Sequence, residues 1–132
     1  MVDNNGVIFS EDGTVLLNFP SDLPGVYRVP DGVEAIADYA FDFACITMVI
    51  LPEGLRYLGT YAFDSCSQLC RVYLPASLES ISQYGAFFEC SPELTLYVPT
   101  GHTDRIRALH PDLAKIPFVE VPPEQLASLQ KL

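Results

Sequence analysis

The chain has 132 residues, and its 17 acidic side chains outnumber its 7 basic ones to give a formal charge of −10. This charge, and the lack of any Lys or Arg cluster, exclude nucleic acid as a partner because phosphate binding needs a basic surface. Hydrophobic residues make up 49% of the chain, which is typical of one compact domain spanning residues 1–132. No apolar run approaches the roughly 20 residues that span a bilayer, so no membrane insertion is expected.

Residues 1–26 are predicted to form a β-hairpin that caps the N-terminal end of the fold. The apolar segments 7–9 and 14–19 flank Asp12 and Gly13, a dipeptide typical of hairpin turns. A cap is needed because the first coil of a repeat protein otherwise exposes apolar surface.

Residues 27–101 contain an internal repeat. Pro30, Pro52, Pro75 and Pro99 are separated by 22, 23 and 24 residues, a period within the range of about 20 to 29 that is typical of leucine-rich repeats. An aliphatic residue, a tyrosine and a phenylalanine follow the first three prolines at nearly matched offsets. The segment therefore predicts about three repeats and a truncated fourth strand.

Each repeat begins with a short predicted strand. An apolar-x-apolar triplet precedes every one of these prolines, which is the period-two pattern of a strand with one buried face. One repeat cannot bury its apolar side alone, so successive repeats must stack. The predicted fold is an α/β solenoid, a leucine-rich repeat with short parallel strands stacked in one sheet. Phe41, Phe63 and Phe87 are expected to form an aromatic column inside it.

Residues 102–132 are predicted to form a helical cap at the C-terminal end. Thr103 or Asp104 is suited to cap a short helix that runs through Leu109 and ends near Pro111. A second short amphipathic helix is predicted from Pro122 to Leu132.

The repeated pattern strand-Leu-Pro-x-x-Leu-x-x-Ile-x-x-x-Ala-Phe, followed by Cys, resembles the BspA-like class of leucine-rich repeats over residues 27–101. The hairpin at 6–16 and the closing segment at 96–101 also resemble features of that family. The coils depart from the pattern after Phe41, where the first is one residue shorter than the second, and at Gly85, where the third gains one residue.

The resemblance implies binding rather than catalysis. Members of this family are typically secreted or surface-exposed proteins of bacteria that live with animal hosts, and several are associated with adhesion. We therefore expect a non-enzymatic protein-binding module whose partner is a protein, including a host extracellular or cell-surface protein. A structural spacer in a larger exported protein and an intracellular interaction protein are the alternatives, and self-association stays open.

The expected location follows the same alternatives. The first six residues show no basic region followed by an apolar one, so no export signal is visible in this chain. The resemblance implies an extracellular or cell-surface location, and a cytoplasmic location is the alternative.

The candidate binding site is the row of strand residues that points away from the core. It consists of Arg28, Ile50, Tyr73 and Tyr97, a mixture typical of interface hot spots. The acidic side chains of Asp31 and Glu53 would extend it. The alternative is that the row only stabilises the sheet through neighbouring side-chain pairs.

Tyr39, Tyr61 and Tyr84 recur in phase and form a second candidate ladder. Packing beside the phenylalanine column is the favoured interpretation of these tyrosines, and an exposed aromatic ladder is the alternative.

No chemical site is predicted. Cys45, Cys66, Cys70 and Cys90 lack metal-ligand spacing and are interpreted as free thiols, of which Cys45, Cys66 and Cys90 form a buried ladder; a disulfide between coils is the alternative. Two histidines, His102 and His110, have no accompanying nucleophile signature. No catalytic residue, metal or cofactor is therefore expected.

Overall fold

The computed structural model describes residues 1–131, and this part of the chain contains ten strands, two α-helices and one 3-10 helix. The strands are β1 (Ile8–Phe9), β2 (Val15–Asn18), β3 (Gly25–Arg28), β4 (Ala35–Ile36), β5 (Ile46–Ile50), β6 (Tyr57–Leu58), β7 (Arg71–Tyr73), β8 (Ser80–Ile81), β9 (Thr95–Pro99) and β10 (Phe118–Val121). The helices are α1 (Thr103–Arg107), the 3-10 helix Pro111–Lys115 and α2 (Pro123–Leu129).

The chain coils into a β-solenoid with two sheets, not the single sheet that the sequence predicts. Sheet A has the order β1-β2-β4-β6-β8, and sheet B has the order β10-β9-β7-β5-β3. Every pair between coils is parallel, and only β1 and β2 pair antiparallel. The predicted solenoid of stacked parallel strands is confirmed. Among residues 1–131 helices occur only after β9, so the chain is a β-solenoid with few helices rather than an α/β solenoid.

The second sheet was missed because its strands are too short to display an alternating pattern. Ile36, Leu58 and Ile81 were expected to return to the core, and all three are buried. Each lies in a two-residue strand that pairs in register with the coil beside it, Ile36 with Leu58 and Leu58 with Ile81. Neighbouring coils, rather than any local signal, provide the hydrogen bonds that define these strands.

The predicted aromatic column is confirmed, and it contains one more ring than expected. The ring centroids of Phe41 and Phe63 lie 4.7 Å apart, and those of Phe63 and Phe87 lie 5.3 Å apart. Phe19, from the segment before the first repeat, stacks on Phe41 at 4.8 Å. Phe41 and Phe63 are completely buried, so the column forms the centre of the core.

The third side of each coil has no strands but is still hydrogen-bonded from coil to coil. The backbone N–H groups of Tyr39, Phe41 and Phe43 donate to carbonyl groups of the second coil, and those of Tyr61, Phe63 and Ser65 donate to the third coil. These alternating bonds satisfy the backbone where the chain turns.

The N-terminal hairpin forms near the predicted positions. Its strands β1 and β2 pair antiparallel, and β2 continues as the neighbour of β4 in sheet A. Asp12 accepts hydrogen bonds from the backbone N–H and the hydroxyl of Thr14, which stabilises the turn. The capping role assigned to this hairpin stays a prediction.

The C-terminal segment is less helical than expected. Helix α1 begins after His102, which occupies the N-cap position and makes no side-chain cap, so neither Thr103 nor Asp104 is the cap. The Thr103 hydroxyl donates to Glu120. The segment contains the 3-10 helix and β10, which the sequence did not predict; β10 pairs in parallel with β9 and extends sheet B. The second predicted helix is present as α2, and Leu132 lies outside the described residues. The capping role of this segment stays a prediction.

We expect the Phe63→Ala variant to lose about 3 to 5 kcal/mol of unfolding free energy, because it leaves a cavity in the middle of a close-packed column. Urea denaturation of the full chain measures the change. Phe43→Ala is the matched control, because Phe43 is 64% exposed and its truncation removes little buried area. Equal unfolding midpoints for the two variants would contradict the central role of the column.

Candidate binding surfaces

The predicted site residues Arg28, Ile50, Tyr73 and Tyr97 lie in one row across sheet B. The strand register pairs Arg28 with Ile50, Ile50 with Tyr73, and Tyr73 with Tyr97. Since alternate strand residues share a face, the register places this set, called here the outer row, on the face away from the phenylalanine column. The rings of Tyr73 and Tyr97 stack with centroids 4.6 Å apart.

Much of the outer row is covered by the chain's own C-terminal helix. Ile50 and Tyr73 are only 1% and 7% exposed, and they form a small apolar cluster with Val121 and Leu126. Half-buried Met48, Tyr97 and Leu129 pack against this cluster. The expectation of an exposed stripe is therefore wrong at Ile50 and Tyr73, because α2 buries them.

Two polar contacts hold the end of α2 on the sheet. Arg28 Nη1 donates to the backbone carbonyl of Gln130 at 2.7 Å, and the Gln130 side-chain amide donates to the Leu51 carbonyl at 3.1 Å. Arg28 is thus the polar end of the outer row and contacts the helix terminus directly. A carbonyl at the end of a helix carries partial negative charge, which favours a cation such as Arg28.

The predicted acidic extension has its own local contacts. Asp31 is exposed, and its carboxylate lies 3.6 Å from Arg28 Nη1. Glu53 is exposed and accepts the backbone N–H of Ser77 at 2.9 Å. Asp31 thus lies beside Arg28 at one end of the outer row, and the binding role of both acids stays a prediction.

A second surface lies on the third side of the coils, where the chain turns. We call it the turn-side surface. The backbone bonds already described match Tyr39 with Tyr61, Asp42 with Asp64 and Phe88, and Phe43 with Ser65 and Glu89. The surface comprises Asp38, Thr60 and Tyr84; Tyr39 and Tyr61; Asp42, Asp64 and Phe88; and Phe43, Ser65 and Glu89. Large apolar side chains are more exposed here than packing predicts, with Tyr39 at 48%, Phe43 at 64%, Tyr84 at 59% and Phe88 at 53%.

The favoured interpretation of the tyrosine ladder, that its rings pack beside the phenylalanine column, is therefore partly wrong. Tyr39 and Tyr61 stack edge to face at 5.7 Å, but Tyr39 is half exposed. The next ring in the ladder is Phe88, 5.3 Å from Tyr61, rather than Tyr84. Phe88 was missed because the extra residue at Gly85 shifts the third coil. Phe43 was missed because Ser65 and Glu89 occupy its matching positions, so no aromatic residue recurs there.

Two of the four cysteines form the predicted thiol column, in which Cys66 is buried and Cys90 is half-buried. Cys66 donates to the Phe41 carbonyl at 3.0 Å, and Cys90 donates to the Phe63 carbonyl at 3.1 Å. Ala44 occupies the matching position in the first coil, three residues after its phenylalanine, so Cys45 lies outside the column and donates to Ser21 instead. All four thiols are free.

The buried thiols are poorly suited to nucleophilic chemistry. Burial raises the pKa of Cys66 and of Cys90 to about 12, whereas a reactive cysteine needs a lowered pKa. Among residues 1–131, no group of three or more His, Cys, Asp or Glu side chains is arranged to hold a metal ion.

The histidines make structural contacts. His110 is buried, its Nδ1 accepts the backbone N–H of Asp112, and its Nε2 lies 2.8 Å from the Gln83 carbonyl. His102 lies beside the Arg105 guanidinium. The contact between His110 and Gln83 joins the C-terminal segment to the third coil, whereas the contact of His102 with Arg105 lies within the C-terminal segment.

We expect the unfolding free energy to decrease as the pH rises above about 9. An unfolded thiol has a pKa near 9.0, whereas folded Cys66 and Cys90 keep their protons to a pKa of about 12. The unfolded state therefore releases protons first and becomes favoured. Tyr27 acts in the same direction because burial, aided by the charge of Asp3, raises its pKa to about 12.

Urea denaturation at intervals from pH 8 to 11 measures this dependence. A Cys66→Ala, Cys90→Ala variant should show a shallower slope than the parent, whatever stability it loses at pH 8. A Cys70→Ala variant is the control. Parallel slopes for parent and double variant would contradict the raised pKa values.

Within residues 1–131, no helix is long and apolar enough to cross a membrane. No curated protein and no solved structure matches the chain. A family model described as BspA type leucine rich repeat region matches residues 26–107 in six copies. This match covers more than half of the 132 residues. The chain therefore belongs to the BspA-type leucine-rich repeat family.

Proposed function

We propose that this chain is a non-enzymatic module that binds another protein through the outer row of sheet B, in an adhesion or interaction role on a bacterial cell surface or outside the cell. Membership of a leucine-rich repeat family supports protein binding. The proposed contact residues are Arg28, Ile50, Tyr73 and Tyr97, flanked by Asp31 and Glu53.

The observation that carries the proposal is the position of α2 on the outer row. The helix inserts Leu126 among Ile50, Tyr73 and Val121, and Leu129 packs against the same cluster. Leucines at positions i and i+3 of a short helix are the anchors used when a partner helix binds a groove. A face that holds such a segment from its own chain has the chemistry to hold a similar segment from a partner.

The proposed mechanism is an exchange, in which a partner segment replaces α2. Helix α2 has seven residues, and an isolated helix shorter than about 12 residues is marginal in water. Its order therefore depends on the contacts with the outer row. A longer amphipathic partner helix would bury more apolar area on the same face and could also use Arg28 at its C-terminal carbonyls.

A peptide-exchange experiment tests whether the outer row accepts a segment in trans. The full chain with Leu126→Ser and Leu129→Ser should release α2 and bind a labelled peptide of residues 122–131 at least tenfold more tightly than the parent. Fluorescence anisotropy measures binding. The control is Ala127→Ser with Gln125→Ser, because both positions are exposed on the same helix.

Binding of a partner is tested with a panel of purified extracellular-matrix proteins. We expect one or more of them to bind, and Tyr97→Ser to weaken that binding at least tenfold while the thermal midpoint changes little, since Tyr97 is only half-buried. Tyr57→Ser, an exposed tyrosine on β6 of sheet A, is the control. If the Leu126→Ser, Leu129→Ser variant bound neither the peptide nor a matrix protein better than the parent, the outer row would be only a packing surface and the module a spacer.

A further inference from the structure

We infer that the turn-side surface is a second binding site, separate from the outer row, and that it takes a lysine- or arginine-rich segment of a partner protein. The inference goes beyond the proposed function because it concerns another side of the solenoid. It rests on the arrangement of aromatic rings and carboxylates on that surface and on the scarcity of cations there.

Aromatic rings form a continuous ledge along the turn-side surface. Tyr39, Tyr61 and Phe88 follow one another with ring centroids 5.7 Å and 5.3 Å apart. Tyr39 and Phe88 are about half exposed, at 48% and 53%. Exposed aromatic rings that cluster rather than scatter are typical of a binding surface, and ring faces attract cations within about 6 Å of their centroids.

Carboxylates lie directly beside this ledge. Asp42, Asp64 and Phe88 occupy matching positions in three successive coils, because Phe43 donates to the Asp64 carbonyl and Ser65 donates to the Phe88 carbonyl. Burial and the neighbouring Asp64 carboxyl raise the pKa of Asp42. The Asp42 and Asp64 carboxyls lie close enough to interact with each other, so they form one acidic pair beside the ledge.

The surface carries a nearly uniform sign of charge. Its eleven positions include four acids, Asp38, Asp42, Asp64 and Glu89, and five aromatic residues, but no Lys or Arg. Lys115 lines a groove with Phe88 and Glu89 at the C-terminal end of the ledge. A cationic partner could therefore contact both ring faces and carboxylates that have no Lys or Arg beside them along most of the surface.

The spacing of the ledge suits an extended basic peptide. Successive ring centroids are 5.7 Å and 5.3 Å apart, and side chains on the same side of an extended strand repeat about every 6.6 Å. Basic residues at alternate positions can therefore reach successive rings. Guanidinium groups fit better than ammonium groups because they stack on rings while donating to carboxylates.

The probe for this inference is a labelled peptide of alternating Arg and Gly, titrated against the full chain by fluorescence anisotropy. A peptide of alternating Gln and Gly is the uncharged comparison. We expect the arginine peptide to bind, the glutamine peptide not to bind, and an alternating Lys and Gly peptide to bind more weakly than the arginine peptide.

Two double variants locate the site. Tyr39→Ser with Phe88→Ser, and Asp42→Asn with Asp64→Asn, should each weaken binding of the arginine peptide at least tenfold. The matched charge control is Glu11→Gln with Asp22→Asn, two exposed acids outside this surface, for which we expect less than a twofold change. Tyr57→Ser on sheet A is the aromatic control, and thermal melts show whether each variant stays folded.

The outcomes separate this inference from the function proposed for sheet B. If the Glu11→Gln, Asp22→Asn control lost as much affinity for the arginine peptide as the double variants, the binding would be general attraction to an acidic protein and the inference would be overturned. Unchanged affinity in either double variant would also overturn it. In the Leu126→Ser, Leu129→Ser variant, whose outer row is expected to bind the peptide of residues 122–131, that peptide should not compete with the arginine peptide. Competition between them would also overturn the inference, because it would place both ligands on the outer row.

Discussion

Pairing between successive coils is the constraint on which every other feature of the molecule depends. A single coil cannot bury its own apolar side chains. Phe41 becomes buried only when Phe19 and Phe63 stack on its two sides. The same pairing satisfies backbone groups in both sheets and along the turns. It therefore determines which residues face the core and which residues of different coils share a surface.

A consequence of this pairing is that one position, repeated in each coil, forms a continuous surface across the stacked coils. One side-chain position in a strand becomes the outer row, and a few positions in a turn become the turn-side surface. The two surfaces differ in chemistry, since the outer row combines aliphatic, aromatic and arginine side chains, whereas the turn-side surface combines aromatic rings with carboxylates. A solenoid can thus present distinct ligand preferences on separate sides without changing its core.

The two surfaces also differ in whether the chain covers them. Leu126 and the Gln130 carbonyl occupy the outer row, so a ligand there competes with an internal segment. Tyr39, Phe43 and Phe88 remain largely exposed, so a ligand on the turn-side surface meets no such competitor among the described residues. Binding at the first surface is expected to depend on the stability of α2, and binding at the second on charge and ionic strength.

The amino-acid sequence by itself determined the repeat, its period, the strands before each proline and the phenylalanine column, because those features arise from local spacing that recurs in every coil. It did not determine the second sheet, because the two-residue strands containing Ile36, Leu58 and Ile81 acquire their hydrogen bonds only from neighbouring coils. Only the tertiary structure decided which surfaces are open. Ile50 is covered by Leu126, and Phe88 aligns with Asp64 after the extra residue at Gly85. Such contacts join residues far apart in the chain, and no local pattern encodes them.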